Sequence, residues 1–248
     1  MDLGLSDKTV LVTGASRGIG AAAARMFAAE GADVVVCYHR NRAGAEQTTA
    51  AVAGYKRRSW LLTFDVGDAA AVALAMEELK SQVTGIDAAV LCAGTNAIAP
   101  LGELRAADWD EVLRVNLSGT FYVLQAVAPL LRDNGSIVTV ASVAAHTGAA
   151  HHAHYAAAKA GIVNLAKSAA RALAPRVRVN CVAPGLTETE MGLQAIGSQA
   201  NDYLQKKLLA QRMATADEIA RSIVFLASPA ASFMYGATLD INGGRDLR

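Results

Sequence analysis

Cysteine is scarce in this chain: three residues in 248, Cys37, Cys92 and Cys181, far apart and odd in number. No C-x-x-C pair and no zinc-type spacing occurs, so a redox motif or a structural zinc site is excluded. Cys37 and Cys181 lie inside apolar runs, and the thiols read as small buried hydrophobes. No apolar run approaches the ~20 residues that a membrane-spanning helix requires. The N-terminus has no positively charged segment leading into an apolar stretch. The expectation from these absences is a soluble, cytoplasmic protein with no membrane partner. An excess of either charge is also missing: 23 Lys and Arg face 22 Asp and Glu, dispersed, for a net charge of +1. This excludes a basic arm for nucleic acid. Internal repeats and low-complexity tracts are absent too.

What is present is apolar content. Hydrophobic residues make up 53% of the chain, enough for a sizeable core, and no linker-like stretch divides it. One domain over residues 1–248 is the expectation. Short β-branched runs, Thr9–Thr13, Val34–Tyr38, Trp60–Phe64, Ala88–Leu91, Ser136–Ala141, Val177–Val182 and Ala237–Ile241, alternate with Ala-rich stretches. Most runs are apolar throughout, as strands covered on both faces are. The helical stretches are about Gly18–Glu30, Arg42–Val52, Ala69–Val83, Ala107–Leu131, Tyr155–Leu173 and Thr215–Leu226. Asp68 and the Thr215/Glu218 pair have helix-capping positions. The pattern predicts an α/β, doubly wound parallel sheet of about seven strands with helices on both faces.

Thr13-Gly14-Ala15-Ser16-Arg17-Gly18-Ile19-Gly20 follows the first strand and opens the first helix. Glycines permit a tight turn and close approach of backbone to a pyrophosphate, which the helix N-terminus then faces. The spacing is G-x-x-x-G-x-G, not the general dinucleotide fingerprint. The second strand ends in Cys37-Tyr38-His39-Arg40-Asn41-Arg42, with no acid to hold a ribose hydroxyl. Guanidinium groups suit a 2′-phosphate, so NADP(H) is expected. Arg17 and Arg40 are the leading contacts, His39 and Arg42 the next. Asp65 and Val66, after the third strand, stand where adenine should rest, with Asp65 able to accept from its amino group.

Tyr155 and Lys159 are one helical turn apart and share a face. An ammonium there favours phenolate and lowers the tyrosine pKa. Ser142 lies at the C-terminal end of the fifth strand, where open parallel sheets bind ligands.

Together these motifs resemble the short-chain dehydrogenase/reductase family over essentially the whole chain. Thr13–Gly20 match its TGxxxGxG, Tyr155–Lys159 its YxxxK, and Ser142 its catalytic serine. Val115-Asn116-Leu117-Ser118-Gly119 is similar to its helix-borne asparagine segment, and Pro184-Gly185 with Thr189 to its PGxxxT. The resemblance implies a single-domain Rossmann-type fold. It implies Tyr155 as general acid in reduction, Lys159 as its tuner and ribose ligand, and Asn116 as holder of a proton-passing water. The backbone near Thr187, with Thr189, fixes the nicotinamide amide. The family has Asn-Ala-Gly after the fourth strand; here Cys92 precedes Ala93 and Gly94, which still allow close approach to the cofactor.

The closest resemblance is to 3-oxoacyl-carrier-protein reductases and polyketide ketoreductases. The expected activity is NADPH-dependent reduction of a small-molecule ketone, free or carrier-bound. The alternatives are oxidation of an alcohol, sugar or steroid, and a nucleotide sensor without chemistry. Residues 143–154 and 191–211 should wall the substrate pocket, with a lid at about 187–211 and contacts from His152 and Met191. No metal is expected despite His146, His151, His152 and His154; a solvated loop suits the histidines other than His152. Arg132, Arg171, Arg176 and Arg178 are the basic residues available to a carrier protein. The family implies a homotetramer, with a dimer as the alternative.

Overall fold

The computed structural model describes residues 2–196 and 200–247, with side chains outside 200–203. The chain alternates strand and helix: β1 Thr9–Thr13, α1 Gly18–Ala29, β2 Asp33–Tyr38, α2 Arg42–Gly54, β3 Ser59–Thr63, α3 Ala69–Gln82 and β4 Ile86–Leu91. It continues through α4 Ala106–Leu113, α5 Gly119–Val127, β5 Leu131–Val140, α6 Ala144–Thr147, α7 Ala153–Leu173 and β6 Val177–Pro184. The last elements are α8 Glu190–Ile196, α9 Ala200–Lys207, α10 Ala216–Ala227 and β7 Thr238–Ile241.

The strands form one parallel, Rossmann-type sheet in the order β3-β2-β1-β4-β5-β6-β7. Alternation along each strand sends side chains to two cores. Val10, Val12, Val34, Val36, Val90 and Val138 pack under α1, α2 and α10. Leu11, Val35, Leu62, Ala89, Ile137 and Val179 pack under α3, α5 and α7. Both faces are dry, which is why the strands read as unbroken apolar runs. Strand order reverses between β1 and β4, so the turns after these two strands part and leave a crevice at the sheet's C-terminal edge.

The capping signals hold. Asp68 accepts from Ala70 and Ala71 amides, and Thr215 with Glu218 forms a reciprocal capping box. The long helix expected over Ala107–Leu131 is broken instead. A π-helical turn, Arg114–Ser118, separates α4 from α5, and Leu131 already belongs to β5, paired with Ile86. Three short helices, α6, α8 and α9, were not foreseen. No helix among the described residues is long and apolar enough to cross a membrane.

Candidate active site

One open groove of about 1220 Å³ runs along the C-terminal edge of the sheet. The residues singled out in the sequence as cofactor and substrate contacts line it, Arg42 excepted. The glycine turn forms its floor. Gly14 has φ +66°, and a Cβ there would come within 2.9 Å of Ala93 Cα. A Cβ at Gly20 would lie 2.3 Å from the Gly14 carbonyl oxygen. These two positions exclude side chains and bring backbone to the groove surface, as a pyrophosphate cradle requires. Thr48 donates to the Ala15 carbonyl at 2.8 Å and holds the turn from α2.

At the adenine end the structure adds a residue that sequence reasoning passed over. Arg114, in the π turn, donates to Asp65 Oδ2 at 3.0 Å, while Asp65 Oδ1 accepts from the Gly67 amide at 2.9 Å. Burial by itself would raise the Asp65 carboxyl, but the Gly67 amide and the Arg114 guanidinium outweigh it and hold the group below its ordinary range. The Asp65 carboxylate expected to face adenine is thus already engaged by Arg114. No spacing rule links positions 65 and 114; only the packing of the π turn against β3's exit brings them together.

The expected 2′-phosphate contacts divide. His39 and Arg40 are exposed at the groove's end. Arg42 instead donates to Glu46, one turn along α2, at 2.8 Å. Arg17 is paired across the groove with Glu190 of α8, an acid the sequence did not flag. Both partners are more than half exposed, at 66% and 59%, so water competes for the pair and it opens at little cost.

At the other end, Pro184 closes β6, and Thr187 donates to the Gly185 carbonyl at 3.1 Å. Thr189 accepts from the Gly192 amide at 3.1 Å, and its methyl lies 3.2 Å from where a Cβ on Gly18 would be. The glycine turn and the Pro-Gly turn thus close on each other. Met191 lines the groove from α8, within the expected lid; residues 197–199 of that lid lie outside the described residues.

Between the ends sit the buried Lys159 and the half-buried Ser142 and Tyr155. Lys159 donates to the Val140 carbonyl at 2.8 Å, and its ammonium is 5.3 Å from the Tyr155 ring centroid. Ser142 accepts from the Ala144 amide at 3.2 Å and hydrogen-bonds the Tyr155 phenol. Burial pushes the phenol up to about 12, opposed by the Ser142 hydrogen bond, and pushes Lys159 down to about 8. This corrects the expectation of a tyrosine lowered by its lysine. Both groups occupy the same dry environment, and desolvation of the phenolate dominates.

Asn116 is fully buried in the π turn, where its amide donates to the Thr95 and Val112 carbonyls at 2.8 and 2.9 Å. Its Oδ1 has no partner. A Cβ on Gly94 would fall 2.7 Å from that oxygen and 3.7 Å from Lys159 Nζ, so the two atoms face one point. A water between them would satisfy the orphan acceptor. A π turn re-aims a side chain without ending the helix, which is a frequent use of such bulges at functional sites.

Cys92, where the family has asparagine, does not loosen the β4 turn. Thr13 Oγ1 accepts from the Cys92 and Ala93 amides at 3.0 and 3.1 Å, tying β4's exit to β1. Burial holds the thiol up at about 11. His152 stands 3.0 Å from the Asn96 side-chain amide, a residue not singled out in the sequence. The solvated-loop reading fails for His154, which is fully buried. It fails for His146 as well, whose ring is 3.8 Å from the Asp240 carboxylate. Among the described residues no group of three His, Cys, Asp or Glu side chains could hold a metal.

Three of the four basic residues considered for a carrier protein are placed elsewhere. Arg132, Arg176 and Arg178 lie at or near the N-terminal ends of β5 and β6, across the sheet from the groove. Arg178 is buried and donates to the carbonyls of Leu226, Ala227, Ser228 and Ala231. Arg176 donates to Leu131 and Ala128 carbonyls, and Arg132 pairs with Asp87. Their work is structural.

Residues 14–246 match the family model described as enoyl-(acyl carrier protein) reductase. The chain belongs to the short-chain dehydrogenase/reductase family. It is 40% identical to D-threitol dehydrogenase of Mycolicibacterium smegmatis, over 100% of this chain and 96% of that protein. It is 36% identical to 3-oxoacyl-[acyl-carrier-protein] reductase of Escherichia coli, over 96% of each. Among solved structures, a short-chain dehydrogenase of Burkholderia cenocepacia in complex with NADP is 33% identical, with a TM-score of 0.92 over 98% of this chain and 99% of that one. Membership makes this short-chain dehydrogenase/reductase an NAD(P)-dependent oxidoreductase acting on carbonyl or alcohol groups. The expected nearness to 3-oxoacyl reductases holds only in part, since a polyol dehydrogenase is at least as similar.

Proposed function

We propose that the protein is an NADPH-dependent ketone reductase in which Tyr155 is the general acid. The observation that carries this reading is the Ser142–Tyr155–Lys159 arrangement at the switch-point groove, with Asn116's unpartnered oxygen facing the buried Lys159. The bound dinucleotide supplies hydride to the carbonyl carbon. Ser142 and Tyr155 donate to the carbonyl oxygen as negative charge grows there, and the Tyr155 proton completes the alcohol. A phenol held near 12 is fully protonated at neutral pH and ready to donate. Lys159 and the Asn116-bound water return a proton to it. The glycine turn holds the pyrophosphate, Asp65 and Val66 the adenine, and Ala93, Gly94, Pro184, Gly185, Thr187 and Thr189 the nicotinamide end.

For the cofactor, the absence of an acid after β2 and the exposed His39 and Arg40 favour the 2′-phosphate. The NADP bound by the Burkholderia relative agrees with this choice. For the substrate, the 3-oxoacyl and polyketide reading rests on resemblance. The wall beyond Tyr155 carries Asn96 and His152 among apolar residues, and the similarity to a threitol dehydrogenase favours a second reading, oxidation of a small polyol by the same residues run in reverse. The test is NADPH consumption with acyl thioesters, quinone-like ketones and small hydroxyketones, beside Tyr155→Phe. Loss of turnover with retained NADPH binding supports the reading; unchanged turnover overturns it. Tighter binding of NADH than NADPH overturns the cofactor choice.

A further inference from the structure

The groove continues past Ser142 and Tyr155 between two loops, one leaving β4 and one entering α7. Asn96 comes from the first, two residues beyond Gly94. His152 comes from the second, three residues before Tyr155. Their side chains meet, with Asn96 Nδ2 3.0 Å from His152 Nδ1, and both line the groove. A backbone bond from the Ala99 amide to the His151 carbonyl, 3.1 Å, fastens the two loops together. The pair is thus fixed relative to the catalytic tyrosine on one side and to Gly94 on the other.

Two features say what the pair is for. Asn96 Oδ1 is buried and has no hydrogen-bond partner. The other amide atom is taken by the imidazole, so turning the amide over only exchanges which atom is left unfilled. Nothing within the protein completes this amide, and a buried amide atom without a partner is uncommon. The imidazole is the second feature. Burial lowers the His152 pKa, and the ring is bonded within the protein, to the Asn96 amide and to the Ala97 backbone, so it holds the amide in place. Neither group carries a charge to hold a carboxylate or phosphate. The unfilled Asn96 oxygen calls for a donor, which a hydroxyl supplies. A bare hydrocarbon chain packed there leaves the amide unfilled, and sites built to bond a hydroxyl reject analogues that lack it far more strongly than apolar pockets reject an extra methylene.

We propose that Asn96 and His152 form a hydroxyl-recognition subsite beside the reacting carbon, which selects hydroxyketones, and the matching vicinal diols in reverse, over plain ketones and acyl chains. The proposal rests on the reading of Tyr155 as the general acid, because that places the carbonyl next to the pair. Asn96 and His152 are specificity-determining residues; neither takes part in proton transfer.

The test is the ratio of kcat/KM for a hydroxyketone to that for its deoxy counterpart, acetoin against butan-2-one and dihydroxyacetone against acetone, with NADPH. The expected ratio is above tenfold in the native protein and falls at least tenfold in Asn96→Ala and in His152→Phe. A variant that is merely less well folded lowers both rates together and leaves the ratio intact, which counts against the subsite. A native ratio near one, with Tyr155→Phe inactive on both ketones, overturns the subsite and leaves the reductase reading standing. Turnover that survives Tyr155→Phe overturns the reading itself, and the subsite with it.

Discussion

The Lys159 ammonium is held 5.3 Å from the Tyr155 ring centroid by a 2.8 Å bond to the Val140 carbonyl. The tether matters because a lysine side chain otherwise samples many rotamers. Fixing it to the last residue of β5 ties α7 to the strand that leads to Ser142, so Tyr155, Lys159 and Ser142 move as one unit.

Removing the phenolic hydroxyl tests that unit. Tyr155→Phe keeps the ring and loses the proton donor, so kcat/KM falls by about 10²–10⁴ while the NADPH dissociation constant stays within about threefold. Stopped-flow absorbance for the first and cofactor fluorescence for the second give the two numbers.

The titration of the site has a definite sign. Tyr155 is raised from 10.0 to about 12, so its phenolate is scarce at neutral pH. Reduction, which needs the phenol, should not be limited by this group below that value, whereas oxidation should quicken as pH rises. Difference absorbance between the native protein and Tyr155→Phe isolates this phenol, and a cationic oxidised nicotinamide should draw its titration downward. Lys159 is lowered from 10.5 to about 8, so the folded chain binds fewer protons than the unfolded chain between those values. Its penalty is full below pH 8 and disappears as pH rises through that window, so this lysine makes the fold gain stability there. Tyr155 works the other way, binding more protons when folded, and takes stability away between pH 10 and 12. Denaturant midpoints across pH 8–10.5, native against Lys159→Met, should show the lysine's slope.

Arg17 is engaged by Glu190 before any phosphate arrives. Glu190→Gln should therefore tighten NADPH binding a few-fold and leave NADH unchanged. Arg40→Ala should weaken NADPH by about tenfold, the value of one charge-assisted contact of about 1.5 kcal/mol. Equal effects on both cofactors would place the 2′-phosphate elsewhere.

Arg178 is a stability element with no part in the site. It serves four carbonyls at and just beyond the end of α10, and Arg178→Met takes a charged donor from each of them in a buried place. A loss of about 3 kcal/mol is expected, which for a chain of this size is a Tm drop of about 6–12 °C. Activity per folded molecule should be retained; calorimetry and active-site titration separate the two.

Local chemistry was legible in the order of residues. Unbroken β-branched runs report burial on both faces whatever packs on them, and all seven appear as strands within a few residues of the expected bounds. The glycine turn and the one-turn spacing of Tyr155 and Lys159 are short-range geometry, fixed by helix and turn dimensions. The break at Arg114–Ser118 was not legible, since a π turn needs no proline or glycine and reveals itself only when Asn116 finds the Thr95 carbonyl across the groove.

The residue order by itself determined the doubly wound sheet, the cradle and the catalytic spacing, because each depends on neighbours within a turn or a strand. Folding in three dimensions decided what those groups experience. Burial set the directions in which Tyr155 and Lys159 shift, Arg114 took a share of Asp65, Glu190 reached Arg17, and Asn96 met His152 from 56 positions away. The reason is that desolvation and pairing depend on distance in space, and the contacts involved join segments that no local periodicity connects.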